Sequence, residues 1–302
     1  MDTIKEQILA LKKEKNAVIL AHYYVNDEVQ EIADYVGDSF YLSKLATEVS
    51  EQTILFCGVF FMGESAKILN PEKTVLLPDA TADCPMAHMV NISEIEKMRE
   101  TYKDLAVVCY INSTAEIKAH SDVCVTSANA MKIVKALPNK NIFFIPDQNL
   151  GRHVASMVPE KNFIFNNGYC PVHTEITPEK LQQVKAEHPH AKVLVHPECT
   201  SNILNLADYV GSTSGIIAYA TKSTENEFII GTEIGIFYEL KEKNPQKVFH
   251  AINQGPLCRD MKKVTLEKVK RALETMSDEV ILDETLRLRA MAPLKKMLEL
   301  GK

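Results

Sequence analysis

Four sequence elements recur three times in this chain at one spacing, and that repetition limits the possible folds more than any other feature. The apolar runs VILAHYY, VVCYIN and VLVHPE end at Tyr24, Asn112 and Glu198. His22 and Tyr110 lie 88 residues apart, and Tyr110 and His196 lie 86 apart. DYVGDS from Asp34, DVCVTS from Asp122 and DYVGST from Asp208 keep the same spacings. A third set reads TILFCG from Thr53, NIFFIP from Asn141 and EFIIGT from Glu227. A fourth reads TVLLPD from Thr74, NFIFNN from Asn162 and KVFHAI from Lys247. An ordinary α/β protein can contain two strands that look alike. Four elements holding one period of about 87 residues indicate internal repeats.

Within each repeat the runs are short, β-branched and apolar on both faces, as buried parallel strands require. Helical patterns separate them, and each repeat opens with one: IKEQILALKKE, SEIEKMRETY and PEKLQQVKAEH. Alternating strands and helices predict parallel sheets with right-handed crossovers. The expected fold class is α/β. Three pseudo-symmetric, Rossmann-like αβα domains span residues 1–86, 87–172 and 173–258 around a central cavity. TLEKVKRALETM, from Thr265, resembles the opening helix of a fourth repeat whose strands do not follow. Residues 259–302 are therefore expected to be helical and to pack back toward the first repeat. Ligands of parallel sheets bind beyond the carboxyl ends of the strands, so the site should draw on all three repeats.

The chain has 302 residues, is 46% apolar and 25% charged, and carries a net charge of −6. That composition is globular. No uncharged apolar run reaches the ~18 residues of a membrane span. The opening segment MDTIKEQILALKKEKN reads as an amphipathic helix without a signal peptide's apolar stretch. A cytoplasmic protein is expected, with no membrane partner. The acidic balance argues against nucleic acid, and the short run Met261-Lys262-Lys263 reads as a solvated face.

Seven cysteines in such a chain point to metal binding or catalysis rather than disulfides. After the fourth strand the repeats read LLPDATADCPM, FNNGYCPV and AINQGPLCRD. Cys84, Cys170 and Cys258 thus keep the repeat spacing and lie in loops beyond strand ends. Three thiols brought to one axis make a metal-site geometry. Structural zinc favours four ligands, often at short C-x-x-C spacings absent here. An iron–sulfur cluster held by three thiolates would keep one iron free to act as a Lewis acid. Zinc, or no metal, stays open at this level. Cys57, Cys109 and Cys124 lie in apolar strands and read as buried thiols, and the i, i+3 spacing of His196 and Cys199 is weak evidence for a ligand pair.

The first strand of each repeat ends in a polar pair at i, i+2: His22 and Tyr24, Tyr110 and Asn112, His196 and Glu198. That spacing puts both side chains on one face. Glu198 or His196 can remove a proton, and Tyr24 or Tyr110 can donate one. Burial would raise the Glu198 pKa toward neutrality. The second strands lead to Ser39, Ser127 and Ser212-Thr213, each before a helical stretch. Such residues serve as helix caps, or place an anionic substrate on free amides.

The motifs ILAHYY with GDS, FMGESAKILNP, CPMA, YINSTAEIKA, VTSANA, PDQNLG, NGYCPVH, HPEC, GSTSGI and IGTEIG run from residue 19 to residue 235. Together with Cys258 they resemble the quinolinate synthase A family. The resemblance implies three αβα domains and a 4Fe-4S cluster on Cys84, Cys170 and Cys258. It implies condensation of iminoaspartate with dihydroxyacetone phosphate to quinolinate, with loss of phosphate and two waters, in de novo NAD biosynthesis. The family's active-site positions fall on His22, Tyr24, Ser39, Tyr110, Asn112, Ser127, His196, Glu198 and Thr213. Expected roles follow: Ser39, Asn112, Ser127 and Thr213, with Ser212 beside it, hold the anionic groups. Tyr24 and Glu198 move protons, and His22, His196 and Tyr110 assist. A functional coupling to an enzyme supplying unstable iminoaspartate is implied. Tyr23 replaces an Asn of some members and should point away from the cavity. The C-terminal C-x-x-C-x-x-C run of some longer members is absent. Another three-cysteine 4Fe-4S hydro-lyase, or a non-catalytic iron–sulfur sensor, is the alternative.

Overall fold

The computed structural model describes residues 3–252 and 254–301. The first repeat contributes β1 (Ala17–His22), β2 (Tyr35–Gly37), β3 (Thr53–Cys57) and β4 (Thr74–Leu76). The second contributes β5 (Leu105–Tyr110), β6 (Val123–Val125), β7 (Asn141–Ile145) and β8 (Asn162–Phe165). The third contributes β9 (Lys192–Val195), β10 (Tyr209–Val210), β11 (Glu227–Gly231) and β12 (Val248–Ala251). They form three four-stranded sheets of identical order, β2-β1-β3-β4, β6-β5-β7-β8 and β10-β9-β11-β12. All pairings between these strands are parallel. The fold is therefore the three pseudo-symmetric αβα units that the repeats predict.

The repeated aspartate of the second element has a structural task. Asp34 Oδ2 accepts the Ile19 amide at 2.8 Å, Asp122 Oδ2 that of Val107 at 2.7 Å, and Asp208 Oδ2 that of Val193 at 2.8 Å. Each aspartate amide returns a bond to the carbonyl of the same residue. The carboxylate thus extends the ladder by one rung below a very short edge strand, and fixes its register. β1 and β5, flanked by neighbours on both sides, are buried along their whole length.

The packing is less symmetric than the topology. A single apolar core joins the first two sheets to the C-terminal helices. The helix Leu266–Thr275 lies on the helix Ile4–Glu14 and on β3. The helix Glu284–Leu300 lies across the helices Phe60–Leu69 and Ala115–Ala119 and on β6. The tail thus spans the first and second units. The third sheet keeps separate apolar clusters, one of which takes in Tyr23 from the first unit. Tyr23 therefore turns away from the strand ends, as alternation predicts. Among the described residues, no helix is long and apolar enough to cross a membrane.

The first and third units meet where the backbones come closest. The buried Gln30 amide donates to the carbonyls of Tyr23 at 2.9 Å and Gly235 at 3.0 Å. A Cβ on Gly235 would lie 2.6 Å from the Tyr23 carbonyl oxygen and 2.8 Å from the Tyr24 Cα. Both obstacles are backbone and cannot swing aside. Gly235→Ala should therefore cost about 1–3 kcal/mol of stability and displace Tyr24. Chemical unfolding should show an earlier midpoint; an unchanged midpoint would mean that the junction is loose.

Candidate active site

The carboxyl ends of the three sheets face one cavity. His22, Tyr24, Ser39, Cys84, Tyr110, Asn112, Ser127, Cys170, His196, Glu198, Thr213 and Cys258 all line it. Ser212 is not among the lining residues. Its hydroxyl accepts the Gly215 amide at 3.1 Å and caps the helix Thr213–Lys222. Ser39 is the first residue of the helix Ser39–Ala46, capped instead by Asp38. Ser127 lies in a turn, three residues short of the helix Ala130–Ala136. Of the three second-strand positions, Ser39 and Thr213 thus open helices at the cavity.

Each of the three cysteines opens a tight turn. Cys84 caps the 3₁₀ turn Pro85–His88 and Cys170 the turn Pro171–Thr174, each followed by proline. The proline ring is preset for a first turn and has no amide to leave unpaired. The Cys258 carbonyl accepts the Lys262 amide at 3.1 Å. Backbone N–H groups also reach the sulfurs: from Met86 and Ala87 to Cys84, from His173 to Cys170, and from Met261 and Asp260 to Cys258. Burial pushes the Cys258 thiol up to about 11, and raises Cys84 and Cys170 further. The amides favour the thiolate, and burial outweighs them.

The cysteine amides are held as well. The Cys84 N–H donates to Asp83 at 2.8 Å, that of Cys170 to Asp147 at 3.0 Å, and that of Cys258 to Glu233 at 3.1 Å. Asp147 and Glu233 are fully buried and occupy the same position in the second and third repeats. The first repeat has Val59 there, and the neighbouring, half-exposed Asp83 does the work. Burial raises the Glu233 carboxyl, and the Lys262 ammonium at 3.3 Å opposes this. Lys262 also donates to the Tyr24 carbonyl at 2.7 Å, and Met261 is buried against the cavity. The run Met261-Lys262-Lys263 is thus a fastening onto the first unit and not a solvated face.

The strand-end histidines are alike in detail. The Tyr24 amide donates to His22 Nδ1 at 3.1 Å, and the Glu198 amide to His196 Nδ1 at 3.4 Å. Burial pushes both imidazoles down to about 3, so they are neutral and carry their hydrogen on Nε2. His196 Nε2 is 3.1 Å from Ser127 Oγ.

Glu198 departs from expectation. Burial alone would raise its pKa. His173 beside it and hydrogen bonds from His173 and Tyr110 outweigh burial and keep the carboxylate ionised. His173 Nδ1 lies 2.7 Å from Glu198 Oε2 and 3.2 Å from Cys170 Sγ. His173 Nε2 is 2.8 Å from Thr232 Oγ1, which is 2.8 Å from Tyr24 Oη. Tyr24 Oη is also 2.8 Å from Thr213 Oγ1. Burial and the Glu198 charge raise the Tyr24 phenol, which stays protonated. A continuous hydrogen-bonded chain therefore joins the Glu198 carboxylate to the Tyr24 phenol through His173 and Thr232.

Sequence reasoning missed both connecting residues. A signal existed for His173: its equivalents in the other repeats are Ala87 and Met261, so it is the polar exception. Thr232 follows β11 where the other repeats have Gly58 and Pro146. Two further atoms await partners. Asn112 Oδ1 and Thr126 Oγ1 are buried without a protein hydrogen bond, and both residues line the cavity. Such groups are costly unless a ligand or water satisfies them. Cys57, Cys109, Cys124 and Cys199 are buried, and none lines the cavity. Cys170, His173 and Glu198 bring donor atoms within 4.8 Å of one another, a group that could hold a metal ion.

Comparison with known proteins agrees with this geometry. The family model described as quinolinate synthetase A protein matches residues 6–299. The chain is 56% identical to the quinolinate synthase of Fusobacterium nucleatum, over 99% of each chain. It is 52% identical to that of Clostridioides difficile, over 98% of this chain and 97% of the relative. It is 51% identical to that of Caldicellulosiruptor bescii, over 100% of this chain and 99% of the relative. With all three sheets, the cavity between them and nearly every residue covered by the match, the chain belongs to the quinolinate synthetase A family.

Proposed function

We propose that this chain is a quinolinate synthase that condenses iminoaspartate with dihydroxyacetone phosphate in de novo NAD biosynthesis, with loss of phosphate and two waters. The observation that carries the reading is the meeting of Cys84, Cys170 and Cys258, one from each unit, in the cavity that holds the Glu198–Tyr24 relay.

The residues fit a 4Fe-4S cluster. The donors are three soft sulfurs in a largely buried cavity, each receiving backbone N–H groups of the kind that hydrogen-bond cluster sulfurs. No fourth cysteine lines the cavity among the described residues, which suits a cluster with one iron lacking a protein ligand. When bound, such a cluster supplies a Lewis-acidic iron that polarises a hydroxyl or carbonyl oxygen.

The protein's own groups account for binding and proton movement. No arginine or lysine lines the cavity among the described residues, so anionic substrate groups would rest on amides and hydroxyls. The ends at Ser39 and Thr213 offer free N–H groups and favourable helix dipoles. Asn112 Oδ1 and Thr126 Oγ1 can accept from a substrate hydroxyl or imine N–H. His22 and His196, both neutral, bring Nε2–H donors to the cavity. Glu198, ionised, removes a proton. That proton has a hydrogen-bonded route through His173 and Thr232 to the Tyr24 phenol, which returns one to a leaving hydroxyl. His173 also touches Cys170, so the relay and the cluster ligand are positioned together.

The test is quinolinate formation by anaerobic protein with confirmed iron and sulfide, given dihydroxyacetone phosphate and iminoaspartate generated in situ. Product that depends on both substrates is expected. Cluster-loaded protein that forms none would move the function to another hydro-lyase or to sensing. Glu198→Gln should keep its iron and lose about 10²–10⁴ in kcat; full turnover would remove Glu198 as the base. Thr232→Val keeps the shape and breaks the relay. It should lower kcat about tenfold or more with an unchanged cluster spectrum, and wild-type kcat would show that the route is unused.

A further inference from the structure

A second group of metal-ligating side chains lies on the third sheet, at the end away from the cavity. Glu227 opens β11, and His250 is the third residue of β12. The register pairs Glu227 with Val248 and Ile229 with His250, so Glu227 and His250 are diagonal neighbours on one face. His188 closes the helix Pro178–Glu187, its amide bonded to the Val184 carbonyl at 2.9 Å. All three backbones are fixed by regular structure. Thr232, at the cavity, is five residues along from Glu227. That is about 16 Å of extended chain, so this group is separate from the active site.

Both imidazoles converge on one carboxylate oxygen, although a carboxylate offers two. His188 Nδ1 is 3.1 Å and His250 Nε2 2.8 Å from Glu227 Oε1. The rings stack with centroids 3.5 Å apart at 17°. The donor atoms lie within 4.8 Å of one another. A tetrahedral ion with bonds of about 2.0–2.1 Å holds its ligand atoms about 3.3–3.4 Å apart. The two nitrogens stand near that spacing, and the stacked rings have to turn so that each points its in-plane lone pair at the ion. The side chains are 19–37% exposed, so an ion can reach them from solvent. A groove bordered by His188, His250, Gln183, Glu187 and Gln254 leaves room for water at the remaining positions. Lys180 also borders it, with its ammonium turned to the Glu175 carbonyl.

We propose that His188, Glu227 and His250 bind one first-row divalent cation, such as Zn²⁺, in a two-histidine, one-carboxylate site. Imidazole and carboxylate suit Zn²⁺ and its neighbours in the series better than Mg²⁺ or Ca²⁺. The ion would tie the end of the helix Pro178–Glu187 to the outer end of β11 and β12. This is the unit whose apolar clusters are separate from the main core.

Co²⁺ is the probe, added to anaerobic, cluster-loaded protein. A nitrogen and oxygen site gives visible ligand-field bands without the intense near-ultraviolet sulfur-to-cobalt absorption of a cysteine site. Wild type should take up one Co²⁺ per chain, and Zn²⁺ should displace it. Glu227→Gln, and His188→Gln with His250→Gln, should bind at least tenfold more weakly while keeping wild-type iron and sulfide. Wild type saturated with Zn²⁺ should melt at a higher temperature, and the variants should not respond. Equal uptake by wild type and variants, or a sulfur-to-cobalt band in wild type, would overturn the assignment. If the double variant does not fold, Glu227→Gln alone decides, since the amide keeps the shape of the side chain.

Discussion

A parallel strand delivers its polar chemistry at its carboxyl end, and three sheets arranged end to end deliver it to one place. Everything else in this structure depends on that constraint. The apolar interiors of β1, β5 and β9 lie in the cores, and the residues just past them, His22, Tyr110 and His196, emerge together. The fourth strand of each sheet then leads to a cysteine on the same cavity. No single unit holds a site. The first supplies Tyr24, the third supplies Glu198, and His173 stands between them, in the turn that follows Cys170 at the boundary of the second and third units.

Pseudo-symmetry builds the scaffold, and its exceptions build the chemistry. The aspartates of the edge strands do the same work three times, because register is a problem each sheet shares. Asp147 and Glu233 hold cysteine amides from one repeat position, and Val59 stands in the third such place. His173 and Thr232 have no polar counterparts, and they carry the relay. Asymmetry of packing follows the same division. The C-terminal helices extend one core over two units and leave the third with its own smaller clusters.

The strand order and the parallel pairing were legible because a period of about 87 residues aligns four elements at once. The cysteines were legible for the same reason, as were Tyr24, Asn112 and Glu198 from alternation. What stayed hidden depends on distance through space. That Ser212 is spent on the Gly215 amide while Thr213 faces the cavity is a difference of one residue in a helix start, finer than sequence patterns resolve. The ionised state of Glu198 comes from His173, a contact made through space from the turn after Cys170, so burial alone gave the opposite sign. The fastening role of Lys262 likewise needs Glu233 and the Tyr24 carbonyl in place.

In the proposed function, one cysteine from each unit holds a single cluster. Iron and sulfide content of anaerobically prepared Cys84→Ser, Cys170→Ser and Cys258→Ser proteins tests it most directly, with Cys199→Ser as the buried control. About four irons per chain are expected in wild type and in Cys199→Ser. Loss of the intact cluster is expected in each of the other three. A full complement of iron and sulfide in any one of those three would contradict it.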